Sequence, residues 1–271
     1  METVALLLEE AKEVAAAAAV EAGKLAKSRF GTKVTLQEKG LFGDLVTEVD
    51  LLSERILLDR IQSRFPDHQI RSEESGWSGV EGDWLWLIDP LDGTNNYAIG
   101  FPVYGVAVTL LYRGQWKLGV VYDSHLEKLY IAEAGKGAFA DKERLQVAET
   151  AQPERMTVGW IQGHVVQKNE TAMALKQHLD VRCKRVLRLW APSLLWCMLA
   201  RGDLDGIVLY NSEGDDLYAG LLMVQEAGGL VMDYDGNPVT TMNPEPYIIA
   251  CHPGQREWFL RLVREGLGRH D

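Results

Sequence analysis

A chain of 271 residues with 39 acidic against 28 basic side chains carries a formal net charge of −11, the wrong sign for gripping nucleic-acid backbones or anionic membranes. Hydrophobic residues at 46% and charged residues at 25% are ordinary globular composition, and a chain this long buries roughly 75% of its unfolded surface without staples. The three cysteines, Cys183, Cys197 and Cys251, are odd in number and form no CxxC pair, which reads as reduced core thiols in a cytosolic protein.

The first thirty residues, rich in alanine, read as an amphipathic helix on the outside of a globular domain. A secretory signal is excluded by Glu2 at the start and by Glu9, Glu10, Lys12 and Glu13 within the apolar stretch. Val14 to Val20, the longest uninterrupted run, is far too short to span a bilayer. Next comes a glycine- and lysine-punctuated segment, expected as a short hairpin or mobile loop, with Lys33 to Gly43 as a candidate lid. A second helix is expected from about Asp50 to Arg64, capped by Asp50 and stopped by Pro66.

"HQIRSEESG" reads as a short strand ending in adjacent acids, and "DWLWLIDP" as a buried strand ending at Asp89. From Tyr104 to about Val147 four strand patterns separated by short turns predict an antiparallel meander. The polar stretch around Pro153 marks a boundary between residues 1–150, an α+β half, and residues 151–271, an α/β half. In the second half strands alternate with helices near Asn169 to His178, Ser193 to Ala200, Asp216 to Ala227 and Gln255 to Glu265.

Four stretches carry chemistry. In Asp89-Pro90-Leu91-Asp92-Gly93-Thr94 the proline breaks the ladder, and a turn lets Asp89 and Asp92 aim at one point beside the Leu91 carbonyl. Oxygen donors of this kind suit Mg²⁺ or Mn²⁺. Gly93 admits a close ligand, and the amides after it open a short helix suited to an anion. On those six residues alone, a metal site and an ordinary strand-ending turn explain the pattern equally well. In "RSEESG" neighbouring Glu73 and Glu74 point apart on a strand, so at most one is expected to reach a site; taken alone the stretch reads better as a solvated acidic loop, and it gains weight by lying just before the strand that carries Asp89. Asp215 or Asp216 stands at a helix start, where capping is the default role. In "GDLVTEVD" Asp50 caps, which leaves Asp44 for other work. "GKGAFA" lacks a following helix and reads as a hairpin turn, and the histidines lack zinc spacing.

Taken in order, these stretches resemble the inositol monophosphatase family of magnesium-dependent, lithium-sensitive phosphatases. Asp89 to Asn96 matches its DPxDGTxN pattern, and Asp216 to Gly229 its later aspartate–AGG pattern; "DLVTEVD" and "SEES" fit too. The resemblance implies a layered α-β-α-β-α sandwich, of the inositol monophosphatase and fructose-1,6-bisphosphatase type, paired as a homodimer. It implies that Glu73, Asp89 and the Leu91 carbonyl hold one Mg²⁺, and that Asp89, Asp92 and Asp216 hold a second. Glu73 would also steer a third, weaker ion. Asp44 and Thr94 would help activate the attacking water, with Glu73 in the catalytic set, and the Gly93 and Thr94 amides would cradle phosphate. Mn²⁺ is an expected substitute and Li⁺ an expected inhibitor.

The departures fall on the substrate wall. Asp215 replaces the family's usual tryptophan, and Trp190-Ala191-Pro192-Ser193 replaces a small-residue segment. Leu209 stands where inositol-specific members carry a hydroxyl-binding glutamate, with Glu213 nearby as a substitute. The expected activity is hydrolysis of a small polyol or sugar phosphate, with no nucleic-acid or membrane partner. The alternatives within the family are fructose-1,6-bisphosphatase, histidinol-phosphatase and, less so, a 3′-phosphoadenosine nucleotidase. A non-catalytic member that binds a phosphorylated ligand is the alternative of another class.

Overall fold

The computed structural model describes residues 2–32, 35–39, 44–149, 152, 155–163, 166, 168–212 and 214–269. Helix α1 (Glu2–Arg29) buries Ala11, Ala15, Ala18, Ala19 and Ala22 completely, a spacing of three and four that lays one stripe on the sheet beneath. Helix α2 (Glu48–Arg64) packs beside it through Leu57 and Ile61. Between them β1 (Leu36–Lys39) and β2 (Asp44–Thr47) pair as the expected hairpin, while residues 33, 34 and 40–43 of the candidate lid lie outside the described residues.

The large sheet contains β3 (Gln69–Ser72), β4 (Gly76–Gly79), β5 (Trp84–Asp92), β6 (Gly105–Tyr112), β7 (Gln115–Asp123), β8 (Lys128–Glu133), β9 (Gly137–Ala140) and β10 (Glu143–Arg144). Its order is β10-β9-β8-β7-β6-β5-β3-β4, and β6 to β10 form the expected antiparallel meander. The pair β3–β5 is parallel, with Ser72 opposite Ile88. Parallel strands finish at the same sheet edge, which brings the acids after β3 beside those ending β5.

After the short helix α3 (Thr94–Ala98) and the meander, the chain builds a second, mixed sheet. It comprises β11 (Thr157–Gln162), β12 (Arg185–Leu187), β13 (Gly206–Tyr210), β14 (Leu230–Asp233) and β15 (Tyr247–Cys251), ordered β12-β11-β13-β15-β14. Helices α4 (Glu170–Arg182) and α7 (Arg256–Gly266) cover its outer face through Leu175, Leu179, Phe259 and Val263. Helices α5 (Pro192–Ala200) and α6 (Leu217–Glu226) fill the space between the two sheets.

The result is the expected five-layer order: α1 and α2, large sheet, α5 and α6, small sheet, α4 and α7. The middle layer is one apolar cluster that joins Leu87 and Val121 of the large sheet, Leu195 and Leu221 of the helices, and Ile207 and Ile248 of the small sheet. Close approach holds it together: a Cβ on Gly119 of β7 would stand 3.0 Å from the Ala219 backbone of α6. That contact fixes the height at which α6 begins. Among the described residues, no helix is long and apolar enough to cross a membrane. The three cysteines are free and buried.

Candidate active site

A cleft of about 490 Å³ opens where β3 and β5 end and where α5 and α6 begin. Glu73, Asp89, Leu91, Asp92, Gly93, Thr94, Trp190, Pro192 and Asp216 all line it. Strand β5 does not end at Asp89 as expected. It continues to Asp92, opposite Gly105, because the ladder shifts register between Asp89 and Asp92 and so accommodates Pro90. The Leu91 side chain is buried in a small cluster with Val49 and Tyr104, and its amide donates to Asp89 Oδ1 at 3.0 Å.

Glu73 follows β3 in a turn rather than on a strand, and its amide donates to the Ile88 carbonyl at 3.1 Å. The Glu74 and Ser75 amides donate to Glu54 Oε1 at 3.2 and 3.0 Å, so α2 folds the acidic turn over. Glu73 lines the cleft and Glu74 does not. Asp216 is the N-cap residue of α6 but makes no side-chain cap bond. Its carboxylate instead bends toward Gly214, where a Cβ would stand 2.3 Å from Oδ1.

Electrostatically the cluster is loaded. Burial drives the Asp89 carboxyl well above the carboxylate range, and Glu73, Asp92 and Asp216 push it further. Asp92 is pushed up to about 7 by burial, although donors from Ser193 oppose the rise. Asp216 is raised by burial and by the neighbouring charges of Asp92 and Glu73. Like charges held this close favour either shared protons or a cation. Among the described residues, no three His, Cys, Asp or Glu side chains stand close enough to chelate an ion as placed. The donor set still fits a hard divalent cation: it is all carboxylate and carbonyl oxygen, with Asp89 and Asp92 buried and the carboxylates mutually repelling.

Four expected residues need correction or lie outside the described side chains. Leu209 is not part of the cleft wall: it is 1% exposed on β13 and points with Ile207 into the layer between the sheets, while Val208 and Tyr210 face outward. Glu213 lies outside the described residues, as does the side chain of Asp44. Asp50 is not the cap of α2. Thr47 is, and Asp50 closes the capping box from the third helical position. Asp50 also accepts from the Thr94 hydroxyl at 2.7 Å, so one carboxylate ties the helix start to the Asp-Gly-Thr turn. Sequence reasoning assigned Asp50 one role and missed the second, which joins residues 44 positions apart.

Gly93 has φ of +94°, and a Cβ there would stand 2.8 Å from the Val103 carbonyl. Both facts require glycine. Asn96 of α3 donates to the Val103 carbonyl at 2.8 Å and to the Leu189 carbonyl at 2.5 Å, joining the turn to the segment before α5. Ser193, in the first turn of α5, gives both its amide and its hydroxyl to Asp92 Oδ2. On the rim, Arg71 of β3 pairs with Asp215 at 2.8 Å and lies over the Trp77 ring at 5.8 Å. Trp77 and Arg188 lie in none of the stretches singled out in the sequence, and Arg71 and Ser193 lie within two of them without a role that sequence reasoning assigned.

The inositol monophosphatase family model matches residues 7–267. The chain belongs to the inositol monophosphatase family. It is 36% identical over 232 residues to an inositol-1-monophosphatase of Synechocystis, covering 84% of this chain and 80% of that one. It is 34% identical over 214 residues to a fructose-1,6-bisphosphatase/inositol-1-monophosphatase of Thermotoga maritima, covering 79% and 81%. Among solved structures it resembles the extragenic suppressor protein suhB of Bartonella henselae, with TM-score 0.87 and 27% identity over 94% of this chain and 98% of that one. The family is one of metal-dependent phosphatases, and this member is a phosphoric-monoester hydrolase.

Proposed function

We propose that the protein hydrolyses a small polyol or sugar phosphate with Mg²⁺ as cofactor. The observation that carries this reading is the quartet of Glu73, Asp89, Asp92 and Asp216 lining one cleft at the junction of two sheet-and-helix layers, with Asp89 and Asp92 buried and their charges pushed against one another. These four carboxylates and the Leu91 carbonyl would hold two ions, with Glu73 serving a third and Mn²⁺ able to substitute. Bound there, the ions supply charge for the ester's phosphate, an activated water and stabilisation of the leaving alkoxide.

The chain's own groups do the positioning. Thr94 has one hydroxyl proton, and Asp50 Oδ1 and the Leu91 carbonyl compete for it at 2.7 and 2.9 Å. Its oxygen is therefore turned to accept, and can orient the hydrogen of an attacking water with Asp44 as the second acceptor. The Gly93 and Thr94 amides are assigned to the phosphate oxygens, and the glycine's missing Cβ lets the turn close against the Val103 carbonyl. Water attacks phosphorus directly, yielding inorganic phosphate and the alcohol. Trp190 and Pro192 line the alcohol side of the cleft. Free buried cysteines support a cytosolic setting, and exposed Ile99 and Phe101 after α3 support a homodimer.

The test is phosphate release with Mg²⁺ from myo-inositol 1-phosphate, fructose 1,6-bisphosphate, histidinol phosphate, glycerol 2-phosphate and 3′-phosphoadenosine 5′-phosphate. Turnover of at least one, inhibited by millimolar Li⁺ at low Mg²⁺, is expected. Silence on all, with Mg²⁺ still bound, would favour the non-catalytic reading.

A further inference from the structure

Exposed apolar side chains scattered singly over a surface need no explanation. Among the exposed large apolar side chains of the described residues, however, only Trp77 and Trp190 line the cleft, and both are tryptophans. Trp190 already stands on the alcohol side. Trp77, on the edge strand β4 and 59% exposed, has no part in the reaction as described so far.

Its place follows from the ladders of the large sheet. Leu87 of β5 faces the middle layer. Arg71 of β3 neighbours Leu87 in the parallel pair, and Trp77 of β4 stands opposite Arg71 in the antiparallel one. Residues paired across a ladder share a face, so Leu87, Arg71 and Trp77 form one row from the core to the sheet edge. The next row toward the site, two residues on, carries Glu73 and Asp89, still joined through the Ile88 carbonyl. Trp77 is thus one strand over from Glu73, about 5 Å, and two residues short of it, about 7 Å. The ring is braced from behind. The Arg71 guanidinium lies over one face, 5.8 Å from the centroid, and Asp215 holds that guanidinium at Nε, 2.8 Å away. With a cation on one face of an exposed ring, the open face is the other one.

We propose that Trp77 is a specificity-determining residue, a stacking platform for a ring in the alcohol part of the ester, so that the substrate is a ring-bearing phosphate ester and not an open-chain polyol phosphate. The inference rests on the phosphatase reading above and narrows it. A fixed flat surface beside the carboxylate cluster rewards a partner that is itself flat. A closed sugar ring offers its C–H face and a heteroaromatic ring its π-face, while an open chain must first give up its rotational freedom to lie flat. The cleft, at about 490 Å³, is in the size range of pockets that enclose ligands much larger than a phosphate ion.

Two matched substrate pairs test it with the intact protein and Mg²⁺: glucose 6-phosphate against sorbitol 6-phosphate, and adenosine 5′-phosphate against ribose 5-phosphate. Within each pair the phosphate sits on the same primary carbon and the charge is equal; only the ring differs. For the wild type kcat/KM should favour the ring-bearing member about tenfold or more in one pair, and which pair responds separates a sugar face from a heteroaromatic plane. Trp77→Ala should bring that ratio close to one, mainly through KM, and Trp77→Phe should keep most of it. Val80→Ala, exposed just after β4 but outside the cleft, should leave the ratio as it is. No preference in the wild type, a ratio that survives Trp77→Ala, or release from glycerol 2-phosphate alone overturns the platform and leaves the phosphatase reading intact. No phosphate release by the wild type from any of the four or from glycerol 2-phosphate overturns both.

Discussion

Ser193 Oγ and the Ser193 amide both donate to one oxygen of Asp92, across 101 residues of sequence. Asp92 closes β5 of the large sheet, and Ser193 opens α5 of the middle layer. A single carboxylate oxygen therefore records how the two halves of the molecule meet, and it leaves the second oxygen for a cation. Ser193→Ala removes the hydroxyl donor but keeps the amide. A hydrogen bond to a charged group is worth about 1.5–3 kcal/mol, so the Mg²⁺ concentration for half-maximal activity should rise about tenfold or more. Mg²⁺ titration of phosphate release measures this, and an unchanged midpoint would show that Asp92 is oriented by other means.

Asp50 and Thr47 share a capping box, yet only Asp50 also holds Thr94. Thr47→Ala and Asp50→Ala should each cost about 1 kcal/mol of stability through the cap. Only Asp50→Ala should also lower kcat, by tenfold or more, because the Thr94 hydroxyl loses its tie to α2 and keeps only the Leu91 carbonyl as acceptor. Urea unfolding and steady-state kinetics on the two variants separate the roles. Equal kcat values would remove Asp50 from the orientation of Thr94.

The Arg71–Asp215 pair ties β3 to the segment entering α6, next to Asp216. Asp215 is only 6% exposed while Arg71 is 23% exposed, so breaking the pair leaves a charge partly stranded. Asp215→Asn should destabilise the fold by about 2 kcal/mol, less than for a fully buried pair because water reaches the arginine. In a double-mutant cycle with Arg71→Met the coupling should exceed about 0.5 kcal/mol. Strict additivity would mean that the ion pair contributes nothing to the join.

The carboxylate quartet links stability to pH and to metal. The raised groups, Asp92 up to about 7 with Asp89 and Asp216 also raised, bind protons in the folded chain that the unfolded chain has released. In metal-free protein their contribution to stability is complete below the ordinary carboxylate range and is lost as pH rises through about 7. Mg²⁺ replaces those protons, so saturating Mg²⁺ should raise the melting temperature more at pH 8 than at pH 5.5. At a hundredfold excess over Kd the gain is about 2.7 kcal/mol, or roughly 5–10 °C for a chain of this size. A shift that is larger at pH 5.5 would contradict the account of the cluster.

Much of this was legible in the sequence where the signal is local. The Asp89 to Thr94 turn, the acids after β3 and the acid opening α6 each stand out within a few residues, and the structure brings all three to one cleft. The strand pattern also shows the meander, because its apolar runs are separated by short turn segments such as Arg113-Gly114. What escaped was long-range. Whether Leu209 faces the cleft or the core depends on the register of β13 between its neighbours, and a count back from Asp216 does not contain that. Strand β5 outran its expected end because a bulge can absorb Pro90, which no local rule requires. The partners of Ser193 and Arg71, 101 residues away in the first case, become visible only once the layers are stacked.

The most direct test of the central claim is the rate of phosphate release, with the best substrate of the panel, by wild type and Asp92→Asn across a Mg²⁺ titration from EDTA to saturation. The account predicts no release in EDTA, saturable activation of the wild type, and loss of at least about a thousandfold, roughly 4 kcal/mol, in the folded variant at every Mg²⁺ concentration. Undiminished release in EDTA, or an Asp92→Asn variant within severalfold of wild type, would contradict it.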